Sequence, residues 1–135
     1  MRTQEEEIVD LDYSPLVRER FERPANAGRL LGDAVRGVAG EKANGTRVEF
    51  DFRLRDGRVD RARFRAYGCP HTIAAASWVA EHAEGRDLSE SGWPDPLELA
   101  QILALPEHKL GVLLVVEDAV RDAAGMAGYN SKQST

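Results

Sequence analysis

The stretch RVEFDFRLRDGRVDRARFRAY (residues 47–67) decides the fold. Val48, Phe50, Phe52 and Leu54 alternate with Arg47, Glu49, Asp51 and Arg53, a period of two that sends one set to a core and the other to solvent. Asp56-Gly57 is a tight hairpin signal. The return strand, Val59 to Tyr67, puts Ala62, Phe64 and Ala66 on one face. A two-stranded hairpin is marginal in water, so a third antiparallel strand is expected from Ala34 to Gly40. Arginines cluster from Arg53 to Arg65. Alternation reads them as a solvated sheet face, with an acidic partner patch as the sharper alternative.

Helices flank this sheet. Ser14-Pro15 pairs an N-cap residue with proline at the first helical position, opening a helix that ends near Glu22, before Pro24. After Cys69, Ile73, Ala76, Val79, Ala80 and Ala83 fall on one helical arc, and Gly85 stops the helix. Asp95-Pro96-Leu97-Glu98 opens a helix to about Ala104 with capping-box spacing. A long last helix carries Val112, Leu113, Val116, Ala119, Val120 and Ala123 on one arc. Leu110 and Leu114 fall on its charged side, as cover beneath the N-terminal segment or an apolar partner patch. The expectation is an α+β fold, a three-stranded antiparallel sheet packed against four or five helices. It spans residues 13–128, between a flexible acidic tail (1–12) and a frayed end (129–135).

The 135 residues fit one such domain, and 42% hydrophobic with 30% charged is an ordinary globular balance. A net charge of −5 argues against nucleic acid as a partner. No apolar stretch approaches the roughly 20 residues of a membrane span. The start carries Glu5-Glu6-Glu7 rather than a signal-peptide apolar region, and the single cysteine cannot form an internal disulfide. A cytoplasmic address is expected.

Cys69 is the most informative position. In Tyr67-Gly68-Cys69-Pro70-His71, Pro70 suits the first helical residue, placing Cys69 at the N-cap, where free amides and the helix dipole favour a thiolate. The competing reading is a small residue filling a strand-to-helix corner. His71 and His108 are candidate assistants in a Cys-plus-His set. Two-residue spacing at a helix start points side chains apart, however, and predicts that both are solvent-exposed. His82, mid-helix, is expected on the surface.

Three segments, YSPLVRERFERPANAG (13–28), FRAYGCPHTIAAASWVAEHAEG (64–85) and LPEHKLGVLLVVEDA (105–119), resemble the iron–sulfur cluster assembly scaffold family, the IscU-type proteins and the N-terminal domain of NifU. The likeness runs in consistent order over residues 13 to 127, most specifically around Gly68-Cys69. It implies a scaffold that holds an iron–sulfur cluster, or zinc, through three cysteines assisted by an aspartate and a histidine. It also implies a cysteine desulfurase or chaperone as partner, and leaves a homo-oligomer open. Carried over by position, the second cysteine is Cys69. Asn44 stands for the first and Thr46 for the aspartate, while Gly111 and Val112 replace the histidine and the third cysteine. Neutral oxygens are poor ligands for iron or zinc, and Val112 on a core-facing arc would leave that corner dry. Leu105-Pro106 to Lys109 resembles the family's chaperone-recognition loop, with Glu107 and His108 altering its middle.

Three functions follow as expectations. The first is a divergent scaffold with at most a partial metal or sulfur site at Cys69, aided by His71 or His108. The second is a metal-free interaction protein that keeps the fold. The third is a thiol-dependent enzyme. The sequence supplies no nucleophile–base–orienter set beyond Cys69 with His71, so no enzymatic turnover is expected.

Overall fold

The computed structural model describes residues 13–133. The expected acidic tail, 1–12, lies outside them. Three strands, β1 (Val35–Glu41), β2 (Thr46–Arg55) and β3 (Arg58–Tyr67), form an antiparallel sheet in the order β1-β2-β3. A short 3-10 turn, Lys42–Asn44, joins β1 to β2. Asp56 and Gly57 both take positive φ, the mirror-image turn that matches strand twist, and close the β2–β3 hairpin. Four α-helices follow the predicted pattern among the described residues: α1 (Pro15–Glu22), α2 (Pro70–Ala83), α3 (Pro96–Leu103) and α4 (Leu110–Gln133). The last runs past Gly128, where the sequence suggested fraying.

Val48, Phe50, Phe52, Val59, Ala62 and Phe64 form the buried face of the sheet, and α2 and α4 lie on it. Gly37 explains how closely α4 approaches: a Cβ there would sit 2.1 Å from the Ala119 carbonyl oxygen. Helix α1 packs on α2 from outside, so α2 is covered on both sides. Its run of alanines, Ala74, Ala75, Ala76, Ala80 and Ala83, is therefore buried almost all round. The single arc expected for this helix is thus corrected, and Ile73 from that arc is only half-buried.

The caps lock the layers together. Ser14 Oγ accepts from the Val17 N–H at 3.2 Å and donates to the Leu103 carbonyl at 2.7 Å, tying α1 to the end of α3. Asp95 caps α3 by accepting from the Leu97 N–H. In α4, Leu113, Val116, Ala119, Val120 and Ala123 are buried as the periodicity requires. Val112 is a correction: it is half-buried and lies outside the core cluster, while Val115 and Leu110 pack against it. Val112 stands in the first turn of the helix, next to the Lys109 that reaches Cys69. Leu114 is exposed, and no helix among the described residues is long and apolar enough to cross a membrane.

Candidate functional site

The β3–α2 corner builds the site. Tyr67 ends β3, Gly68 turns the chain, and Cys69 becomes the N-cap of α2 with Pro70 as its first residue. Gly68 is required: at φ +156° a Cβ would fall 2.7 Å from Thr72 Oγ1. That Thr72 hydroxyl lies 3.6 Å from Cys69 Sγ, and His71 Nδ1 lies 4.0 Å away. The Lys109 ammonium comes from the far side of the chain to 3.8 Å from the same sulfur. Lys109 ends the 3-10 turn Glu107–Lys109 that leads into α4.

Burial pushes the Cys69 thiol up, but this is outweighed. The Thr72 hydroxyl, the backbone N–H groups of Thr72 and His71 and the Lys109 charge together hold the thiol below its ordinary value. The hydrogen-bonding groups of Thr72 and His71 contribute most of that lowering, and the Lys109 charge adds to it. The small-filler reading of Cys69 has no need of such groups.

His71 is only 4% exposed, not solvent-facing as its spacing suggested. The Tyr13 ring packs against it at 4.9 Å between centroids, a contact across the chain that local spacing does not contain. Burial, with the charges of Lys109 and His108, lowers the His71 pKa and keeps the imidazole neutral near pH 7. His108 is exposed, as expected, and touches the site only through that charge. His82 is also exposed, its ring stacked on Trp78.

Arg47 pairs with Tyr67 across β2 and β3, which puts the β1–β2 turn at the same end of the sheet as Cys69. Asn44 lies exposed in that turn and Thr46 is half-buried at the start of β2. Gly111 and Val112 occupy the first turn of α4, beside Lys109. These positions lie toward the same end of the sheet, where Cys69 and the His71 imidazole are the soft donors brought together among the described residues. Among the described residues no three His, Cys, Asp or Glu side chains gather to hold a metal ion. A four-ligand cluster does not fit this donor set within one chain. Lys109 and Thr72 were missed as site residues. The available signal for Lys109 is the family-like Leu105-to-Lys109 loop, whose resemblance points to partner binding rather than to the thiol.

A model of the NifU-like N-terminal domain matches residues 12–135. The chain belongs to the NifU-like N-terminal domain family. Within this family it is 32% identical over 125 residues to the iron–sulfur cluster assembly scaffold protein IscU of Haemophilus influenzae, covering 90% of this chain and 98% of that protein. It is 32% identical over 127 residues to the mitochondrial iron sulfur cluster assembly protein 1 of Yarrowia lipolytica, covering 91% and 69% of the two chains. A crystal structure of a SUF-system scaffold from Fervidobacterium islandicum aligns over 83% of this chain and 96% of that one, with a TM-score of 0.65 at 11% identity. The NifU-like N-terminal domain from Brucella abortus aligns over 87% and 83%, with a TM-score of 0.51 at 19% identity. At those identities the two structures speak for the α+β fold of the family alone.

Proposed function

We propose that this chain acts in iron–sulfur cluster assembly as a scaffold-type protein whose working group is the Cys69 thiolate. The observation that carries the reading is the Lys109 ammonium, 3.8 Å from Cys69 Sγ, at a thiol already facing a helix N-terminus. Family membership and relatives named as assembly scaffolds supply the context.

The chemistry this corner suits is sulfur acceptance. The Cys69 thiolate attacks the outer sulfur of a persulfide on a donor protein of the cysteine desulfurase kind. A Cys69 S–S bond forms, the donor's S–S bond breaks, and the donor leaves as a thiolate. Lys109 lowers the cost of the negative charge on Cys69 before transfer and on its terminal sulfur afterwards. The neutral His71 imidazole shields one side from water without competing for the charge. Holding a whole cluster takes donors beyond this chain, from a second copy or a partner, because Asn44, Thr46, Gly111 and Val112 offer no thiolate. His71 is the one further soft donor close enough to assist.

Anaerobic reconstitution of wild type and Cys69→Ser, followed by iron and sulfide assay, tests the scaffold reading. The expected result is iron and sulfide below one cluster per chain in wild type and loss of both in the variant. No iron or sulfide in either protein would contradict it and leave the metal-free interaction-protein reading standing, and equal content in the two would contradict it by placing the bound metal away from Cys69.

A further inference from the structure

We propose that the outer face of the sheet, at its Arg47–Tyr67 end, is a docking surface for a carboxylate-rich, extended segment of a partner protein. The registers put Arg36, Arg47, Arg53, Arg61, Arg63 and Arg65 on the face away from the helices, against Glu49 and Asp51. The whole chain carries −5, so this face is an island of the opposite sign.

The two acids are already engaged. Asp51 accepts from Arg65 at 3.0 and 3.1 Å, from Arg36 at 3.0 Å and from the Leu30 N–H at 3.0 Å. Glu49 accepts from Arg65 at 2.7 Å and from Arg47 at 3.0 Å. Among them lies an open groove of about 610 Å³ lined by four cations, Arg29, Lys42, Arg47 and Arg65, against two acids, Glu41 and the already paired Glu49, with Tyr67 beside them. Arg29 has no acidic partner among the described residues, and Lys42 rests 5.6 Å over the Tyr67 ring. Tyr67 is 51% exposed and gives the groove an apolar wall. Unspent guanidinium and ammonium groups beside an exposed aromatic ring suit carboxylates flanking an apolar side chain.

The groove favours a protein segment over a nucleic acid. The Gly28–Leu31 segment crosses the sheet face, anchored by Leu30 to Asp51 and by Arg53 to the Leu31 carbonyl. Arg29 on that segment joins Lys42, Arg47 and Arg65 in one compact cluster interrupted by Glu41 and Glu49, whereas a phosphate backbone needs a continuous basic track.

Fluorescence anisotropy of the full chain tests this, with a fluorescein-labelled peptide of eight glutamates and one phenylalanine as probe. Binding should weaken with added salt and fall about tenfold in Arg29→Glu/Lys42→Glu, two exposed residues outside the core. Tyr67→Ala should cost a smaller factor. Arg55→Glu, at the hairpin end roughly 25 Å away along the strands, should change affinity less than about twofold. No binding at low salt, or an equal loss in Arg55→Glu, would overturn the proposal. So would tighter binding of a single-stranded oligonucleotide of equal charge. Tighter peptide binding in Glu5→Gln/Glu6→Gln/Glu7→Gln would also overturn it, assigning the groove to the chain's own acidic segment.

Discussion

Replacing Lys109 with methionine removes the one full positive charge beside Cys69 and keeps the bulk of the side chain. At 3.8 Å the interaction amounts to about 1 kcal/mol in a water-like dielectric and about 4 kcal/mol at an effective dielectric constant near 20. Cys69 is half-exposed, so the lower figure applies, and about 1 kcal/mol lowers the thiolate fraction at neutral pH roughly sixfold. A more basic thiolate is intrinsically the better nucleophile, which returns part of that loss and leaves alkylation about threefold slower. Well above the pH of thiol ionisation the order reverses, and the variant reacts faster. Iodoacetamide alkylation followed across pH reads both limbs, and the single cysteine makes the signal unambiguous. Lys109→Arg should restore the wild-type profile. An unchanged profile in Lys109→Met, with an unchanged thermal midpoint, would refute the electrostatic role of Lys109.

Asp51, 1% exposed, is pushed up by burial but held down to about 2 by hydrogen bonds from Arg65, the Leu30 N–H and Arg36. Its folded value lies below the ordinary 3.8, so its stabilisation is complete above about pH 4 and is lost as pH falls toward 2. Asp51→Asn should cost about 2–3 kcal/mol at neutral pH and flatten the acid limb of a denaturation series. Gly68→Ala should destabilise by about 1–3 kcal/mol and alter Cys69 alkylation, because its Cβ displaces Thr72 from the sulfur. Gly37→Val should cost upwards of about 3 kcal/mol by urea unfolding, since the α4 backbone cannot yield to a Cβ 2.1 Å from the Ala119 carbonyl oxygen.

The sheet was legible because its signal is local: the alternation around Phe50 and Phe52 and the Asp56-Gly57 turn lie within one continuous stretch. Cys69 as an N-cap was legible for the same reason, from the Cys-Pro step. What the sequence misplaced depends on contacts between distant segments. His71 is buried because Tyr13 folds over it from another element. Lys109 reaches Cys69 across a separation of 40 residues, which no periodicity encodes. The periodicity of α2 predicts one buried arc because an alanine-rich helix gives little contrast between faces, whereas α1 covers the second side. Val112 lies in the first turn of α4, at the end of the core, where a helical arc does not tell whether other elements cover the residue.

The central claim is that Cys69 takes up sulfur. Incubating the full chain with a persulfide donor under anaerobic conditions, then measuring intact mass and mapping the modified peptide, tests it most directly. The account predicts a gain of one sulfur atom on the Cys69 peptide, slower in Lys109→Met and absent in Cys69→Ser. Recovery of Cys69 unmodified under conditions that alkylate it fully would contradict the account.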